Sequence, residues 1–392
     1  MYDLIIIGAG ASGLAAAVNA KRKNNELKIA IAEALDRVGK KILATGNGRC
    51  NLTNLNAEAS CYKNRGFASY ALEKYSPEKV IEFFRSMGLL CVSDSEGRVY
   101  PMSNTAASVL DCLRFEAVNS GVEFLTQTKI SELEKKDSYF LINRKYKAKK
   151  VIISAGGKAS PSQGSDGSGY QLLKSLGHGI TATYPALVQL TVKEKSVKPL
   201  KGMRVKCAVT LYENDGIIDS SKGEVLFTDY GLSGIAIMDI SRSVCEKECL
   251  CVLDMAPALS ENELEKFIFE RKSVNGSSDY EDILCGLLPR RVAQSVIKRA
   301  NEPSAERLAC IIKNFRFTVN GTRGFNNAQI TTGGADVSEF DSHTMESKLI
   351  SGLYCCGEIL DVDSVCGGYN LQWAWASGLL AGESICINIP LA

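Results

Sequence analysis

The order of segments at the N-terminus constrains the fold of this chain more than any other feature. Residues 4–7 form an uninterrupted apolar run, Gly-Ala-Gly-Ala-Ser-Gly follows at residues 8–13, and a helix-forming stretch occupies residues 14–23. A buried strand, a glycine turn and a helix in this order create a seat for phosphate groups, because the glycines admit close approach and the free N–H groups of the helix face the anion. The pattern predicts an α/β domain that binds a dinucleotide.

A second apolar run ends in an acidic residue. Residues 28–32 have the composition of a buried strand, and Glu33 follows 25 residues after Gly8. A carboxylate at this distance holds the adenosine ribose hydroxyls and disfavours a ribose 2′-phosphate. The alternative is a glycine-rich turn with an unrelated surface glutamate, and the complete strand–turn–helix context argues against it.

The segment at residues 37–51 is rich in glycine, cations and amides and has little apolar periodicity. It predicts a long loop that wraps around a ligand, although a solvated surface loop is the simpler alternative. Cations in it would neutralise phosphates, and amides would bind ribityl hydroxyls or the edge of a flavin; these are Lys40, Lys41, Arg49, Asn47 and Asn51. A loop with both functions favours FAD over NAD.

Two later glycine sites are expected to return to the same sheet. Residues 150–155 form a strand-like run that breaks at Gly156 and Gly157, and the loop after it does not match a second dinucleotide fingerprint. No separate NAD(P)H domain is therefore predicted. Residues 352–358 form another short strand, and a helix beginning near Asn370 would direct its positive end at the flavin pyrimidine edge. An ordinary strand–loop–helix return is the alternative.

Composition narrows the class of protein. The 392 residues are 45% hydrophobic, which suits two or three domains with large cores. The 46 basic and 44 acidic residues give a net charge of +2, so no nucleic-acid partner is expected. The longest apolar stretch, residues 4–18, is interrupted by glycines and too short to span a bilayer, and no signal peptide precedes it. A cytoplasmic protein without a membrane span is predicted.

Cysteine and histidine usage limits the available chemistry. The 14 cysteines have irregular spacing and are expected to be reduced thiols, and the chain has only 2 histidines, His178 and His343. No metal site is predicted. If a reaction at the flavin needs an acid, Tyr184 and Tyr369 are candidate proton donors. Tyrosine more commonly serves as a buried packing residue. The catalytic residue and the oligomeric state stay open.

Several longer motifs resemble the YhiN/BaiN-type FAD-dependent flavoproteins, a family also labelled bile-acid-reductase-like and aminoacetone oxidase. They are ATGNGRCNLTN at residues 44–54, TMESK at 344–348, LDVD at 360–363 and GYNLQWAW at 368–375. The resemblance covers nearly the whole chain. It implies an α/β fold with a glutathione-reductase-like FAD-binding Rossmann domain at residues 1–187 and 316–392, interrupted by a small β-barrel subdomain at 188–255 and a helical subdomain at 256–315.

The resemblance also implies an activity. The chain resembles FAD-dependent oxidoreductases that use NADH or NADPH as a transient electron donor. In such an enzyme, flavin N5 transfers hydride to the C=C of a conjugated hydrophobic ketone, such as a 3-dehydro-bile acid or steroid. One alternative is an amine or amino-ketone oxidase that uses oxygen. Another is an FAD-stabilised binding protein related to tRNA-modifying flavoproteins. Glu358 and Ser364 depart from the Asp and Gly that members often have, which affects the contacts expected around the ring.

The predicted cofactor-binding residues come from five places in the chain. They are Gly8, Ala9, Gly10, Ala11, Ser12, Gly13, Glu33, Ala34, Lys40, Lys41, Asn47, Gly48, Arg49, Cys50, Asn51, Ala155, Gly156, Gly157, Gly357, Glu358, Gly368, Asn370, Leu371 and Gln372. The expected partner is a small hydrophobic substrate.

Overall fold

A computed structural model describes residues 1–245, 248–274 and 279–387 and divides the chain into two compact units. The first unit joins Met1–Thr183 with Ile330–Ala392. Its strands are β1 Tyr2–Ile7, β2 Ile29–Ala32, β3 Thr53–Asn54, β4 Cys91–Ser93, β5 Arg98–Pro101, β6 Glu123–Leu125, β7 Leu133–Lys135, β8 Phe140–Ile142 and β9 Tyr146–Ile153, and after the second unit β17 Ile330–Thr332 and β18 Leu353–Cys355. Its helices are α1 Ala11–Lys23, α2 Lys40–Ala44, α3 Arg65–Lys74, α4 Pro77–Arg85, α5 Ala106–Asn119, α6 Ser168–Ser175 and α12 Tyr369–Ile387.

A seven-stranded sheet forms the centre of the first unit. Its order is β6-β2-β1-β9-β8-β7, and β18 also pairs with β9. Strands β6, β2, β1, β9 and β18 are parallel, whereas β7 and β8 add an antiparallel hairpin beside the start of β9. The apolar side chains of β1 and β2 are buried because helices cover a parallel sheet on both faces. The expected Rossmann-type α/β architecture is confirmed.

Helices α1 and α12 lie against each other through small residues. A Cβ atom on Gly378 would stand 2.4 Å from the Ser12 carbonyl oxygen, and one on Gly382 would stand 2.3 Å from that of Ala16. Only glycine permits this separation of the two backbones. The C-terminal helix is thereby held directly against the helix that follows the glycine turn.

The second unit, Tyr184–Gln329, contains a closed six-stranded barrel. Its elements are β10 Tyr184–Ala186, β11 Leu190–Val192, β12 Arg204–Glu213, β13 Gly216–Phe227, β14 Gly231–Ser233, α7 Ile235–Ile240, β15 Cys249–Asp254, α8 Glu261–Val274, α9 Tyr280–Leu284, α10 Arg290–Ala300, α11 Ala305–Lys313 and β16 Phe315–Thr322. The barrel order is β11-β14-β13-β12-β15-β16, and β16 returns to β11. Phe227, Phe315 and Phe317 fill the interior with ring contacts of 5.3–6.4 Å.

The helical part of this unit begins with a capping box. The Ser260 hydroxyl accepts a hydrogen bond from the Glu263 N–H at 3.2 Å, and Glu263 Oε2 accepts one from the Ser260 N–H at 2.8 Å. This reciprocal pair satisfies two amide groups at the start of α8.

Two boundaries differ from the sequence-based expectation. The first helix begins at Ala11 rather than residue 14, because the glycine turn is already wound into its first turn. Residues 316–329 do not join the Rossmann sheet: Phe315–Thr322 is the strand that closes the barrel, and its backbone bonds are used by β15 and β11. Among the described residues, no helix is both long and apolar enough to cross a bilayer.

Candidate cofactor-binding site

The carboxyl ends of four parallel strands bring most of the predicted residues to one edge of the sheet. In sheet order, β2 leads to Glu33, β1 to Gly8, β9 to Ser154 and β18 to Cys356. Backbone hydrogen bonds continue past the strands, from the Gly8 N–H to the Ala32 oxygen at 2.8 Å and from the Ser154 N–H to the Ile7 oxygen at 2.8 Å. Ligands of open α/β sheets bind at this edge.

The glycine turn is packed tightly on two sides and open on the third. At Gly8, which has a φ of +106°, an added Cβ atom would stand 2.6 Å from the Ser154 oxygen. At Gly13 an added Cβ atom would stand 2.1 Å from the Gly8 oxygen. At Gly10 the same atom would have nothing within 4 Å. No side chain caps the start of α1. The first-turn amides therefore face an open space that suits an anion.

The Glu33 carboxylate is held in place by the backbone. Its Oε2 accepts a hydrogen bond from the Ala9 N–H at 3.0 Å, and its Oε1 accepts one from the Leu35 N–H at 2.9 Å. Each oxygen keeps a further lone pair, so the group can still accept ribose hydroxyls. Ala34 lies between Glu33 and Leu35 in the chain, and its methyl group has no atom that can form a hydrogen bond.

The segment at residues 37–51 is more regular than predicted. It contains helix α2 and a short 3₁₀ turn at Thr45–Gly48, with Asn47 and Gly48 at positive φ. The expectation of an irregular loop is wrong here, because the run Lys40–Ala44 has side chains suited to a helical turn. Cys50 follows as a buried residue, and burial raises the pKa of its thiol to about 12. It is a packing residue at neutral pH.

The three cations of this segment have different surroundings. Lys40 pairs with Asp36 at 2.8 Å, and Arg49 lies over the Tyr100 ring, 4.7 Å from its centroid. Lys41 points inward, and its Nζ donates to Glu358 Oε2 at 2.6 Å and to the Ala159 oxygen at 3.2 Å. Of the three, only Lys41 is brought against another predicted site residue.

Glu358 links three segments of the site. Besides the contact from Lys41, its Oε1 accepts the Thr331 N–H at 2.9 Å. The Thr331 hydroxyl in turn accepts the N–H groups of Lys158 and Ala159, at 2.8 and 3.1 Å. Gly157 fits here because its Cβ atom would stand 2.4 Å from that hydroxyl. Sequence reasoning missed Thr331, although the motif Thr331-Thr332-Gly333-Gly334 offered a second pair of glycines as an indication.

The late loop is closed by side chains that the sequence assigned to the cofactor. Asn370 accepts the Ser364 N–H at 3.0 Å and donates to the oxygens of Ser364 and Val365. Gln372 is fully buried, accepts the Thr53 hydroxyl at 2.7 Å and donates to the Tyr75 oxygen at 2.7 Å. Both amides hold protein segments together. Leu371 is partly buried against the core.

Asn51 and Gly368 meet beside this loop. A Cβ atom on Gly368 would stand 2.5 Å from the Thr53 oxygen and 2.9 Å from Asn51 Oδ1. Asn51 Oδ1 is buried and has no hydrogen-bond partner among the residues that the structure describes. A buried acceptor of this kind requires a donor. It is the clearest indication that a polar ligand belongs at this end.

The adjacent loop contains buried carboxylates that sequence reasoning also left unassigned. Asp361, within the LDVD motif, pairs with Lys63 at 2.7 Å and accepts the Thr181 hydroxyl at 3.1 Å. Asp363 accepts the Thr332 hydroxyl at 2.8 Å. Because both carboxylates are almost fully buried, these bonds fix the path of the loop. The alternating acids of the motif were the available indication.

The neighbouring backbone and aromatic residues complete the site. Ala155 and Gly156 follow β9, and Gly156 has a φ of +70°. A Cβ atom on Gly156 would stand 2.6 Å from Ser165 Oγ. A Cβ atom on Gly357 would stand 2.4 Å from Ser12 Oγ, whose hydroxyl donates to the Cys356 oxygen at 3.3 Å. Trp373 and Trp375 are buried, and their indole N–H groups donate to the oxygens of Gly357 and Leu52. Both tryptophans are packing residues of the core.

These features fit FAD. An open, uncapped helix start lies at β1, a fixed carboxylate lies at β2, and an unpartnered buried acceptor, Asn51, lies beside the loop that follows β18. The phosphate seat is therefore flanked by a ribose site on one side and a polar site on the other. A ligand with one nucleoside and a second polar ring system joined through phosphates matches this order.

Comparisons with known proteins agree with this geometry. The chain matches the HI0933-like protein Rossmann domain over residues 2–384. A 3-dehydro-bile acid delta(4,6)-reductase of Clostridium scindens is 38% identical, over 98% of this chain and 99% of its own. A ribosomal RNA dihydrouridine synthase of Escherichia coli is 28% identical over 98% of both. The structure of a 3-ketosteroid delta1-dehydrogenase from Sterolibacterium denitrificans has a TM-score of 0.51 at 12% identity, covering 98% of this chain and 99% of its own.

The two kinds of comparison carry different weight. At 12% identity the structural similarity shows the fold alone, whereas the family match spans nearly the whole chain. The residues matched include the glycine turn, the segment around Asn51 and the late loop. The chain belongs to the HI0933-like Rossmann family, and this membership supports its assignment as an FAD-dependent oxidoreductase.

Proposed function

We propose that the chain is an NAD(P)H-dependent reductase that saturates a carbon–carbon double bond conjugated to the ketone of a hydrophobic, bile-acid-like or steroid-like substrate. The observation that carries this proposal is the 38% identity, over essentially full length, to a 3-dehydro-bile acid delta(4,6)-reductase. The names of the reductase and of the 28% identical dihydrouridine synthase both describe saturation of a double bond. In uracil that bond is also conjugated to a carbonyl group, so one chemistry serves both substrates.

The site residues divide the work of holding the cofactor. Glu33 would bind the adenosine ribose, the amides at residues 10–13 the pyrophosphate, Glu358 the ribityl chain, and Asn51 the flavin. Lys41 orients the Glu358 carboxylate through their 2.6 Å contact. Bound FAD would supply the hydride that adds to the β-carbon of the substrate.

The reaction also needs a proton at the α-carbon of the substrate. We assign Tyr369 as its donor, because it begins α12 directly after Gly367 and Gly368 and its ring is only partly buried. The Tyr62 hydroxyl donates to the main-chain carbonyl oxygen of Tyr369 at 2.8 Å, and the two rings meet edge to face at 6.4 Å. The ring contact orients the Tyr369 side chain, and the hydrogen bond fixes its main chain. Tyr184, the other tyrosine that the sequence indicates, belongs to the second unit and is not assigned.

The test is an anaerobic stopped-flow experiment on the FAD-loaded protein. Mixing with NADH and, separately, with NADPH should bleach the oxidised flavin band with at least one of them at a rate no slower than turnover. Adding a 3-oxo-4-ene bile acid should then restore the band and yield the saturated ketone. Bleaching by neither nucleotide, together with oxygen consumption during amine oxidation, would instead identify an oxidase.

A second candidate function is reduction of uridine in ribosomal RNA. Two relatives, 28% and 29% identical over 97–98% of this chain, carry that name. The net charge of +2 weighs against it, since RNA backbone binding favours a strongly basic surface. The same reduced protein should be offered unmodified ribosomal RNA, and formation of dihydrouridine faster than steroid reduction would make RNA the substrate.

A further inference from the structure

Arg49 is a preorganised cation without an acidic partner. Its guanidinium lies 4.7 Å from the centroid of the Tyr100 ring, and its Nε donates to the Gly46 oxygen at 3.4 Å. Among the residues that the structure describes, it makes no ion pair, and its side chain is exposed. Arg98 lies two residues before Tyr100 on β5 and differs from Arg49 in its partners. It is paired with Asp94 at 2.8 Å and with Glu96 at 3.1 Å.

Arg49 is close in sequence to Asn51, the residue proposed to bind the flavin. Asn51, two residues later, carries the unpartnered buried acceptor beside Gly368. Tyr100 is held at the same place, since its neighbour Val99 pairs with Thr53 and accepts the Leu52 N–H at 2.7 Å. The phosphate seat lies instead at the end of β1. An arginine placed here is suited to an anion other than the cofactor pyrophosphate.

We propose that Arg49, supported by Tyr100, binds a carboxylate of the substrate and so selects acidic over neutral ketones. This inference rests on the proposed reductase function. A guanidinium offers five donors, and within the described ranges only the Nε–H of Arg49 has a protein acceptor. Its planar fork matches a carboxylate in bidentate geometry. Stacking on the ring restricts the side chain before the ligand arrives, which lowers the entropic cost of binding.

The experiment compares a 3-oxo-4-ene bile acid with its methyl ester, which has the same ring system without the charge. Full-length, FAD-loaded wild-type protein and the variants Arg49→Gln and Arg98→Gln are assayed with both. For the acid, Arg49→Gln should raise KM about tenfold and leave kcat nearly unchanged, the size expected for one charge-assisted contact at an exposed site. The KM for the ester should stay within about twofold.

Arg98→Gln is the matched control. It removes an arginine that lies on the same face of β5 as Tyr100 and that already has acidic partners. It should leave both KM values unchanged. Tyr100→Leu should raise KM for the acid by about threefold through loss of the stacking surface, while Tyr100→Phe, which retains the ring, should match the wild type.

Three results would overturn the assignment. Equal increases in KM for acid and ester would show that Arg49 shapes the pocket without reading charge. A loss of FAD affinity in Arg49→Gln, measured by flavin fluorescence, would return this residue to the cofactor. Salt-sensitive binding of a ribosomal RNA fragment that Arg49→Gln abolishes, with acid binding intact, would identify phosphate as the anion instead.

Failure of the reductase proposal is measured separately. Binding of the acid perturbs the flavin spectrum and can be titrated without turnover. Charge-selective binding that Arg49→Gln removes would support the carboxylate site even if no ketone is reduced. Turnover with equal wild-type affinity for acid and ester, or no binding of either, would contradict the Arg49 assignment.

Discussion

The early glycine turn at residues 8–13 and the late segment at residues 367–372 have similar structures, but their polar groups have different partners. Both follow a parallel strand, both precede a helix of the same packed pair, and both contain a glycine at positive φ against another backbone. In the turn, the open side above Gly10 and the uncapped amides form the seat directly. In the late segment, the amides of Asn370 and Gln372 bind other protein segments.

This difference explains which residue assignments can be made from sequence. A site made of backbone needs glycines at fixed spacing, and that spacing is visible in the chain. A polar side chain in a loop has several possible partners, and its spacing does not say whether the partner is a ligand or another segment. Mutations can test each half of this comparison.

The largest effect is expected at Gly13. Gly13→Ala places a Cβ atom 2.1 Å from the Gly8 oxygen and 2.6 Å from Ser154 Oγ, so the turn must shift. We expect a loss of about 3 kcal/mol in the free energy of unfolding, measured by urea denaturation of the apoprotein. FAD binding should be lost with it.

Gly10→Ala is the matched comparison within the same turn. Its φ of −82° suits alanine, and the added Cβ has nothing within 4 Å. The apoprotein should keep its stability, while FAD affinity falls at least tenfold because the methyl group occupies the seat. Unchanged FAD affinity in Gly10→Ala would place the phosphates elsewhere.

A smaller effect is expected at Gln372, in the first turn of α12. Gln372→Leu leaves the buried Thr53 hydroxyl and Tyr75 oxygen without their partners, so the free energy of unfolding should fall by about 2 kcal/mol. Gln294→Leu is the control, since that exposed amide contacts the side chain of Glu281. A stable Gln372→Leu protein that has lost FAD would show that this amide binds the cofactor.

The smallest effect concerns a carboxylate on α12. Burial raises the pKa of Glu383, but hydrogen bonds from Lys74, Tyr75 and Lys23 outweigh it and lower the pKa from 4.5 to about 2. A depressed carboxyl pKa stabilises the fold above pH 4.5, and this stabilisation is lost as the pH falls toward 2.

Glu383→Gln should therefore cost about 1 kcal/mol at pH 7, after allowance for solvent screening, and progressively less below pH 4.5. Urea denaturation of both proteins at pH 7, 4 and 3 measures the difference. Glu116→Gln, which removes an exposed partner of Arg22, should cost less at pH 7. A pH-independent cost in Glu383→Gln would mean that packing, and not charge, is the source.

The regular parts of the fold follow from local patterns. Apolar runs predicted β1 and β2. Residues 37–51 were misjudged, because high glycine and amide content concealed the helical turn of α2. The barrel strand at Phe315–Thr322 was assigned to the wrong part of the chain, because partners far away in sequence determine where a strand belongs.

By itself, the sequence determined the nucleotide half of the proposed site. The Gly8–Gly13 spacing and Glu33 specify backbone geometry and one carboxylate, and both lie in one short segment that runs from β1 through α1 to the end of β2. Only the tertiary structure decided the other half. It paired Glu358 with Lys41 and Thr331, enclosed Gln372 between Thr53 and Tyr75, and left the Asn51 oxygen without a hydrogen-bond partner in the described part of the chain. Such roles arise where distant segments meet, because a polar group's function depends on which partners reach it.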